Sequence, residues 1–202
     1  SPIDEAKLRR HFDAWKNFLV DHLFHEEKVI VPVVWKLGKT APDRARVVYD
    51  RVMVPSDHRN AEDMAFFLGF HAKYLAKFGT SHSAPDSALV AARDYVTGIK
   101  ATSSQEQWQR WMPVLQENIP SDMWTQIVAA RDIDSPAPQV AHYKYMAIMS
   151  HAHEGFRAGV RSLIDLKGDV SGFTVAWKET QRALHFHAIQ EDLDVFPLFD
   201  VD

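Results

Sequence analysis

Residues 173–199 read FTVAWKETQRALHFHAIQEDLDVFPLF, and this stretch decides the fold. Its apolar residues recur at steps of three and four, the spacing that places side chains on one face of an α-helix. His187 and Glu191 occupy positions on that same apolar face. A carboxylate directed into a helical core is costly unless it is paired or coordinated. The stretch therefore predicts a long core helix that carries a polar site.

The pattern His-x3-Glu followed by a second acid occurs three times, at residues 22–27 (HLFHEE), 58–63 (HRNAED) and 187–192 (HAIQED). A spacing of four places imidazole and carboxylate on one helix face, where they can bind one metal ion or bridge to a second. The pair His22 and Glu26 also interrupts an apolar stripe. The repeat favours a metal site in the core over three surface ion pairs.

A further histidine lies in the apolar stripe of the helix predicted over residues 139–166. His153 follows Met149 and precedes Phe156 on that stripe. His151 points to a different face, yet the interval from His151 to His187 equals that from His22 to His58. His153 is therefore the preferred candidate ligand, and His151 stays an alternative.

Helical periodicity extends through most of the chain, and strict period-two alternation is absent. Pro55 falls inside the second helix and predicts a kink or a fresh start there, with Ser56 or Asp57 as the cap. The predicted helices cover about 4–36, 41–78, 87–100, 104–119, 121–131, 139–166 and 173–199.

This pattern predicts an all-α fold, a four-helix up-down bundle with extra short helices between the second and third bundle helices. Residues 1–202 are expected to form a single domain, in which residues 79–138 are a helical insertion. The insertion separates two helix pairs, over residues 3–78 and 139–200.

Composition excludes several classes of function. The chain has 202 residues, 11 histidines, no cysteine and a formal net charge of -4. Without cysteine it has no disulfide, thiolate nucleophile, zinc ribbon or iron–sulfur cluster. The balanced charge offers no basic stripe for nucleic acid, and no apolar run is long enough to span a membrane. The polar start, SPIDE, has no signal-peptide pattern, so a cytoplasmic location is expected.

A histidine on one helix, His-x3-Glu about one helix later, and a second such pair resemble the hemerythrin-like HHE cation-binding family. The match is fullest in the C-terminal half, from His153-Glu154 to His187-x3-Glu191-Asp192 with Phe196-Pro197-Leu198. The resemblance implies a four-helix bundle that holds two non-haem iron ions, although manganese or another divalent metal would also suit these donors. It further implies histidines as terminal ligands and two bridging carboxylates.

Carried over residue by residue, the implied metal ligands are His22, His58, Glu62, His153, His187 and Glu191. Members of the family often have a fifth histidine, which spacing does not assign here. The remaining candidates are His25, Glu26, His151 and His71.

The function expected from this resemblance is binding or sensing of O2 or a related small molecule. One alternative is a di-iron oxidase, a peroxidase-like enzyme or an iron-centre repair enzyme on the same scaffold, with residues 79–138 building a substrate pocket. The other is a metal-free helical interaction module. The sequence does not specify an oligomeric state.

Overall fold

The computed structural model describes residues 5–40, 42–80, 88–129, 141–166, 168–195 and 197. Within these ranges the chain is helical and contains no strand, which confirms the all-α class. No helix in them is long and apolar enough to cross a membrane. The helices are α1 (Glu5–Thr40), α2 (Pro42–Arg59), α3 (Ala61–Phe78), α4 (Ala88–Thr102), α5 (Gln105–Asn118), α6 (Ser121–Ala129), α7 (Ala141–Asp165) and α8 (Val170–Gln190), followed by a π-helical turn, Glu191–Val195.

Helices α3 and α7 have the most neighbours in the fold. Helix α3 packs against α4, α5, α7 and α8, and α7 also contacts α1 and α2. The buried rings of Phe70 and Phe156 lie 5.8 Å apart across the α3–α7 contact. A Cβ added at Gly159 would lie 2.9 Å from Phe70 Cζ, so glycine permits this close approach. The core therefore centres on these two helices.

The middle helices α4, α5 and α6 complete this core. Helix α4 packs against both α3 and α7, and α5 packs against α3. Tyr95, Trp111 and Ile127 are fully buried, one from each middle helix. The capping box of Ser104 and Gln107 fixes the start of α5. The region that follows α3 is thus integrated with the long helices by extensive packing.

The break in the second predicted helix lies at Asn60 rather than at Pro55. Pro55 falls inside α2, and α3 begins afresh after Asn60, whose side chain accepts a hydrogen bond from the Asp63 N–H at 3.0 Å. The predicted caps Ser56 and Asp57 are instead buried and bonded to other helices. Asparagine is among the best N-cap residues, which explains why the new helix begins here.

The last predicted helix is also divided. Helix α8 begins earlier than predicted, at Val170, because the Asp169 side chain accepts from the Gly172 N–H at 2.9 Å. Its α-helical part ends at Gln190, and the following turn is π-helical. Residues 81–87 and 130–140, which include most of the interval between predicted helices 41–78 and 87–100 and all of that between 121–131 and 139–166, lie outside the described residues.

Candidate metal centre

Helix α1 contributes one histidine and one carboxylate to a polar cluster inside the fold. Its inner face carries the buried Leu19 and Leu23, and Glu26 continues that face at 5% exposure. His22 Nε2 lies 3.4 Å from Glu26 Oε1. The spacing of four thus brings the two side chains together at the edge of the core, as the sequence pattern predicts.

The end of α8 and the π-helical turn supply the opposite side of the cluster. His187 Nε2 lies 3.2 Å from Glu191 Oε1, and the Glu191 carboxylate turns its other oxygen to His22 at 3.5 Å. Glu191 is buried at 7% exposure. Glu191 therefore faces one histidine from each end of the chain.

Helix α7 adds His153, which is buried at 3% exposure. Its Nε2 lies 3.3 Å from Glu26 Oε2, and His187 Nε2 lies 4.0 Å from the same oxygen. The cluster consequently contains two groups of three donors. The donor atoms of Glu26, His153 and His187 lie within 4.8 Å of one another, as do those of His22, Glu26 and Glu191.

The geometry gives both carboxylates a position between two groups of histidines. One oxygen of Glu26 faces His22, and the other faces His153 and His187. Glu191 likewise lies between His22 and His187. Such an arrangement is suited to two metal ions that share carboxylate bridges.

Several polar atoms of the cluster are buried without a hydrogen-bond partner. They are both carboxylate oxygens of Glu26 and Nε2 of His187. Within the described residues, the ion-pair contacts of Glu26 are all to histidines. Orphaned acceptors of this kind are costly in an apolar core, and a cation would satisfy them. The donor set therefore fits a metal ion.

Electrostatics of the metal-free cluster support the same interpretation. Burial, together with the neighbouring Glu26 carboxylate, raises the pKa of Glu191 to about 10. Burial and the nearby histidines lower the pKa of His187 well below its ordinary value. Without an ion, Glu191 thus holds a proton at neutral pH, and His187 is neutral with an available lone pair. A divalent cation can replace that proton and bind that lone pair.

Glu27, next to Glu26, contacts the ring nitrogen of His153 that faces away from Glu26. Its Oε1 lies 3.2 Å from His153 Nδ1, and Arg157 donates to both of its oxygens at 2.7 and 2.8 Å. Burial would raise the pKa of Glu27, but the hydrogen bonds from His153 and Arg157 bring it to about 2. A charged acceptor at Nδ1 keeps the proton there and directs the lone pair of Nε2 towards Glu26. This role of Glu27 is not among the sequence-based predictions, although the second acid in HLFHEE marks its position.

Two predicted ligands, His58 and Glu62, lie outside the cluster. His58 is exposed at the end of α2, and the Glu62 side chain is 86% exposed and accepts a hydrogen bond from Arg182 at 3.1 Å. The physical reason is the break at Asn60, which separates the two residues onto different helices. Glu26, one of the remaining candidates, lies between the two donor groups, where the resemblance implied Glu62.

The three histidines among the remaining candidates also lie outside the two donor groups. His25 is exposed on α1, and His151 is half-buried, with its ring 6.5 Å from that of Tyr95. His71 is fully buried, its Nδ1 lies 2.7 Å from the Phe67 carbonyl, and its Nε2 has no hydrogen-bond partner. Burial lowers the pKa of His71 to about 3, so this ring is neutral.

Aromatic rings pack against the buried side of the centre, whereas His22 is partly exposed to solvent. Phe156 and Phe67 lie 5.2 and 6.1 Å from the His187 ring. In contrast, the His22 side chain is 35% exposed. His22 is therefore the most exposed of the five clustered donors.

A separate surface cleft of about 500 Å³ lies between α3, α5 and α8. Glu62, Phe66, Lys73 and Arg182 are among its lining residues, and none of the five clustered donors lines it. The cleft thus does not open onto the candidate metal centre.

Comparisons with protein-family models, curated proteins and solved structures gave no match. The interpretation of the centre therefore depends on its geometry.

Proposed function

We propose that the protein binds two divalent metal ions between α1, α7 and α8, and that it works as a non-haem di-iron protein. The observation that carries this proposal is the position of Glu26, which presents one oxygen to His22 and the other to His153 and His187. Its burial beside a second carboxylate, Glu191, supplies the energetic reason for a cation. His22 would hold the outer ion, and His153 with His187 the inner one.

The choice of iron follows from the resemblance to the HHE family, and the donor chemistry is compatible with it. Imidazole nitrogen and carboxylate oxygen suit iron and manganese, and they also bind zinc. When bound, a pair of iron ions supplies electrons to a diatomic ligand. The protein's own contribution is to place five donors, to remove water with Phe67 and Phe156, and to leave an approach beside His22.

The ligand proposed for this centre is O2 or a related small molecule. The oxidase or repair enzyme would need a substrate chamber beside the donors, and the described cleft contacts none of them. We place the small-molecule binder or sensor ahead of these enzymes because its ligand needs no such chamber. The metal-free interaction module is disfavoured because it would leave Nε2 of His187 buried without a partner and the Glu26 and Glu191 carboxylates buried side by side.

The fold proposed around this centre is a four-helix bundle of the hemerythrin-like type, formed by α1, α3, α7 and α8. Its support is the packing of α7 against α1, α3 and α8. In this interpretation residues 1–202 are one domain, with residues 79–138 as the insertion, and the location is the cytoplasm.

The proposal is tested by metal analysis of the protein reconstituted with Fe(II) under anaerobic conditions. We expect two iron ions per chain and a change in visible absorption when O2 is admitted. Fewer than one iron per chain after reconstitution would overturn the metal proposal. Two bound ions with no spectral response to O2 would keep the metal site and reject the ligand.

A further inference from the structure

A second buried acid lies one turn beyond Glu191. Asp194 belongs to the same π-helical turn, and its side chain is only 4% exposed. It does not belong to either donor group of the metal centre. Because buried carboxylates require compensation, the partners of Asp194 indicate its role.

The partners of Asp194 come from the end of α2. Ser56 Oγ donates to its Oδ2 at 2.6 Å, and Arg59 Nη1 donates to its Oδ1 at 3.0 Å. Arg59 Nη2 also donates to Oδ2, which makes the ion pair bidentate. Charge-assisted pairs of this type fix orientation as well as distance. The three contacts account for both oxygens of Asp194, so this residue is a structural partner of α2.

The residue before Glu191 is held by the same serine. Gln190 Nε2 donates to Ser56 Oγ at 3.2 Å, and Gln190 is itself buried. Ser56 thus contacts residues on both sides of Glu191 in the sequence. These bonds fix the backbone that carries the Glu191 carboxylate, at a turn where the regular α-helical pattern has been lost.

The end of helix α2 is itself bonded to α5. Asp57, next to Ser56, accepts hydrogen bonds from Trp111 Nε1 at 3.2 Å and from Arg110. Trp111 is fully buried in α5. The end of α2 is therefore a fixed support, against which the π-helical turn is held.

We propose that Asp194, with Ser56 and Arg59, is a positioning residue that sets the Glu191 carboxylate between His22 and His187. This inference rests on the proposed metal-binding function. It assigns a role to the Pro55-Ser56-Asp57 segment, which the sequence had suggested only as a helix break. Residues that orient a metal ligand typically change metal affinity tenfold to a hundredfold when they are replaced.

The test compares Asp194→Asn with Asp192→Asn, an exposed acid in the same turn. The two changes remove the same charge near Glu191, but only the first removes the ion pair with Arg59. Titration with Fe(II) against a competing chelator should give about a tenfold to hundredfold weaker affinity for Asp194→Asn, and a value within about twofold of the parent for Asp192→Asn. Equal effects of the two variants, or none, would overturn the proposal.

Ser56→Ala provides a second variant in case Asp194→Asn does not fold. It removes the hydrogen bond to Asp194 and those from Gln190 and Arg59 Nη2, but it keeps the ion pair between Arg59 and Asp194. We expect a smaller loss of metal affinity with a circular dichroism spectrum like that of the parent. Unchanged affinity in this variant would also count against the positioning role.

Amide hydrogen exchange separates this inference from the metal proposal. In the metal-free protein, residues 187–195 should exchange faster in Asp194→Asn than in the parent or in Asp192→Asn, because the turn loses its support. If the parent protein binds no metal but shows this change, the proposed function fails and the support of the turn by α2 stands. Unchanged exchange would reject that support whether or not metal binds.

Discussion

A carboxylate oxygen of Glu26 lies within 4.8 Å of one from Glu191, although the two residues come from opposite ends of the chain. Two ionised carboxylates at this separation in a buried site repel each other. The metal-free protein avoids the repulsion by keeping a proton on Glu191. Bound cations would remove it by attraction, so these two residues explain both the chemistry of the site and its response to pH.

Replacement of Glu26 should distinguish the observed site from the one that the resemblance implied. Glu26→Gln removes the charge shared by both donor groups, so it should abolish most metal binding. Glu62→Gln should leave the metal content unchanged, because Glu62 is exposed and bonded to Arg182. Metal analysis of the two variants, reconstituted side by side, provides the measurement. Metal loss in Glu62→Gln alone would contradict the structure.

The two proposed ions should be separable by a change at His22. His22→Ala removes the histidine of the outer group but leaves Glu26, His153 and His187 in place. We expect one ion per chain in place of two, as measured by stoichiometric titration. His25→Ala is the matched control, since His25 is exposed on the same helix and should retain both ions. Retention of two ions in His22→Ala would remove this histidine from the site.

The stability of the metal-free protein should fall as the pH rises from 7 to 9. The pKa of Glu191 is about 10 in the folded protein and near 4.5 when unfolded, so within this window the folded state binds the extra proton. More protons bound in the folded state means that the free energy of unfolding decreases with pH. His187 and His71, whose pKa values are lowered, are neutral in the folded protein, but in the unfolded chain they are still partly protonated near pH 7, so the fall in stability is steepest at about pH 8 to 9.

Thermal unfolding with a chelator present measures this pH effect. Glu191→Gln should flatten the dependence, since the amide needs no proton. A parent protein whose melting temperature is constant between pH 7 and 9 would argue against a protonated Glu191.

Glu27→Gln should weaken metal binding without removing a ligand. The amide no longer holds the proton firmly on His153 Nδ1, so the lone pair of Nε2 is less available to the ion. We expect a loss of about tenfold to a hundredfold in affinity. Glu179→Gln, which breaks the distant ion pair with Lys73, serves as the control and should not change affinity.

The close contact between Gly155 and His71 should affect the free energy of unfolding whether or not metal is bound. A Cβ at Gly155 would lie 2.4 Å from His71 Cδ2, so Gly155→Ala should destabilise the protein by about 1–3 kcal/mol despite the better helix propensity of alanine. In a His71→Ala background the penalty of the same change should be smaller, because the ring that meets the new methyl group is gone. Chemical unfolding of the four proteins forms the required cycle.

The helical elements and part of the site were predictable from the sequence because they depend on local periodicity. The apolar stripes correctly predict that Phe156 is buried in the core. They also predict that His187 and Glu191 lie together on the inner face of their helix. His153 was preferred over His151 on the same reasoning, and it lies in the cluster.

The division of the second helix was not predictable from periodicity, because it depends on competition between two local signals. Pro55 removes one backbone hydrogen bond, yet it is accommodated within α2, whereas the side chain of Asn60 caps a new helix. That choice places Glu62 beside Arg182, at the surface. Glu26 and Glu62 each follow a histidine by four residues, so spacing does not distinguish them. Tertiary packing does, because it buries Glu26 and leaves Glu62 exposed.

The clustered donors have a final consequence for the chain as a polymer. His22 and Glu26 face Glu191 across a segment of well over a hundred residues, so each shared ion would close a very long loop. Because folding alone brings these donors together, the ions would bind only the folded chain, and their binding free energy would add to the free energy of unfolding. In a chain that has no cysteine, the ions would join the first helix to the last, but unlike a disulfide they would be released when the chain unfolds.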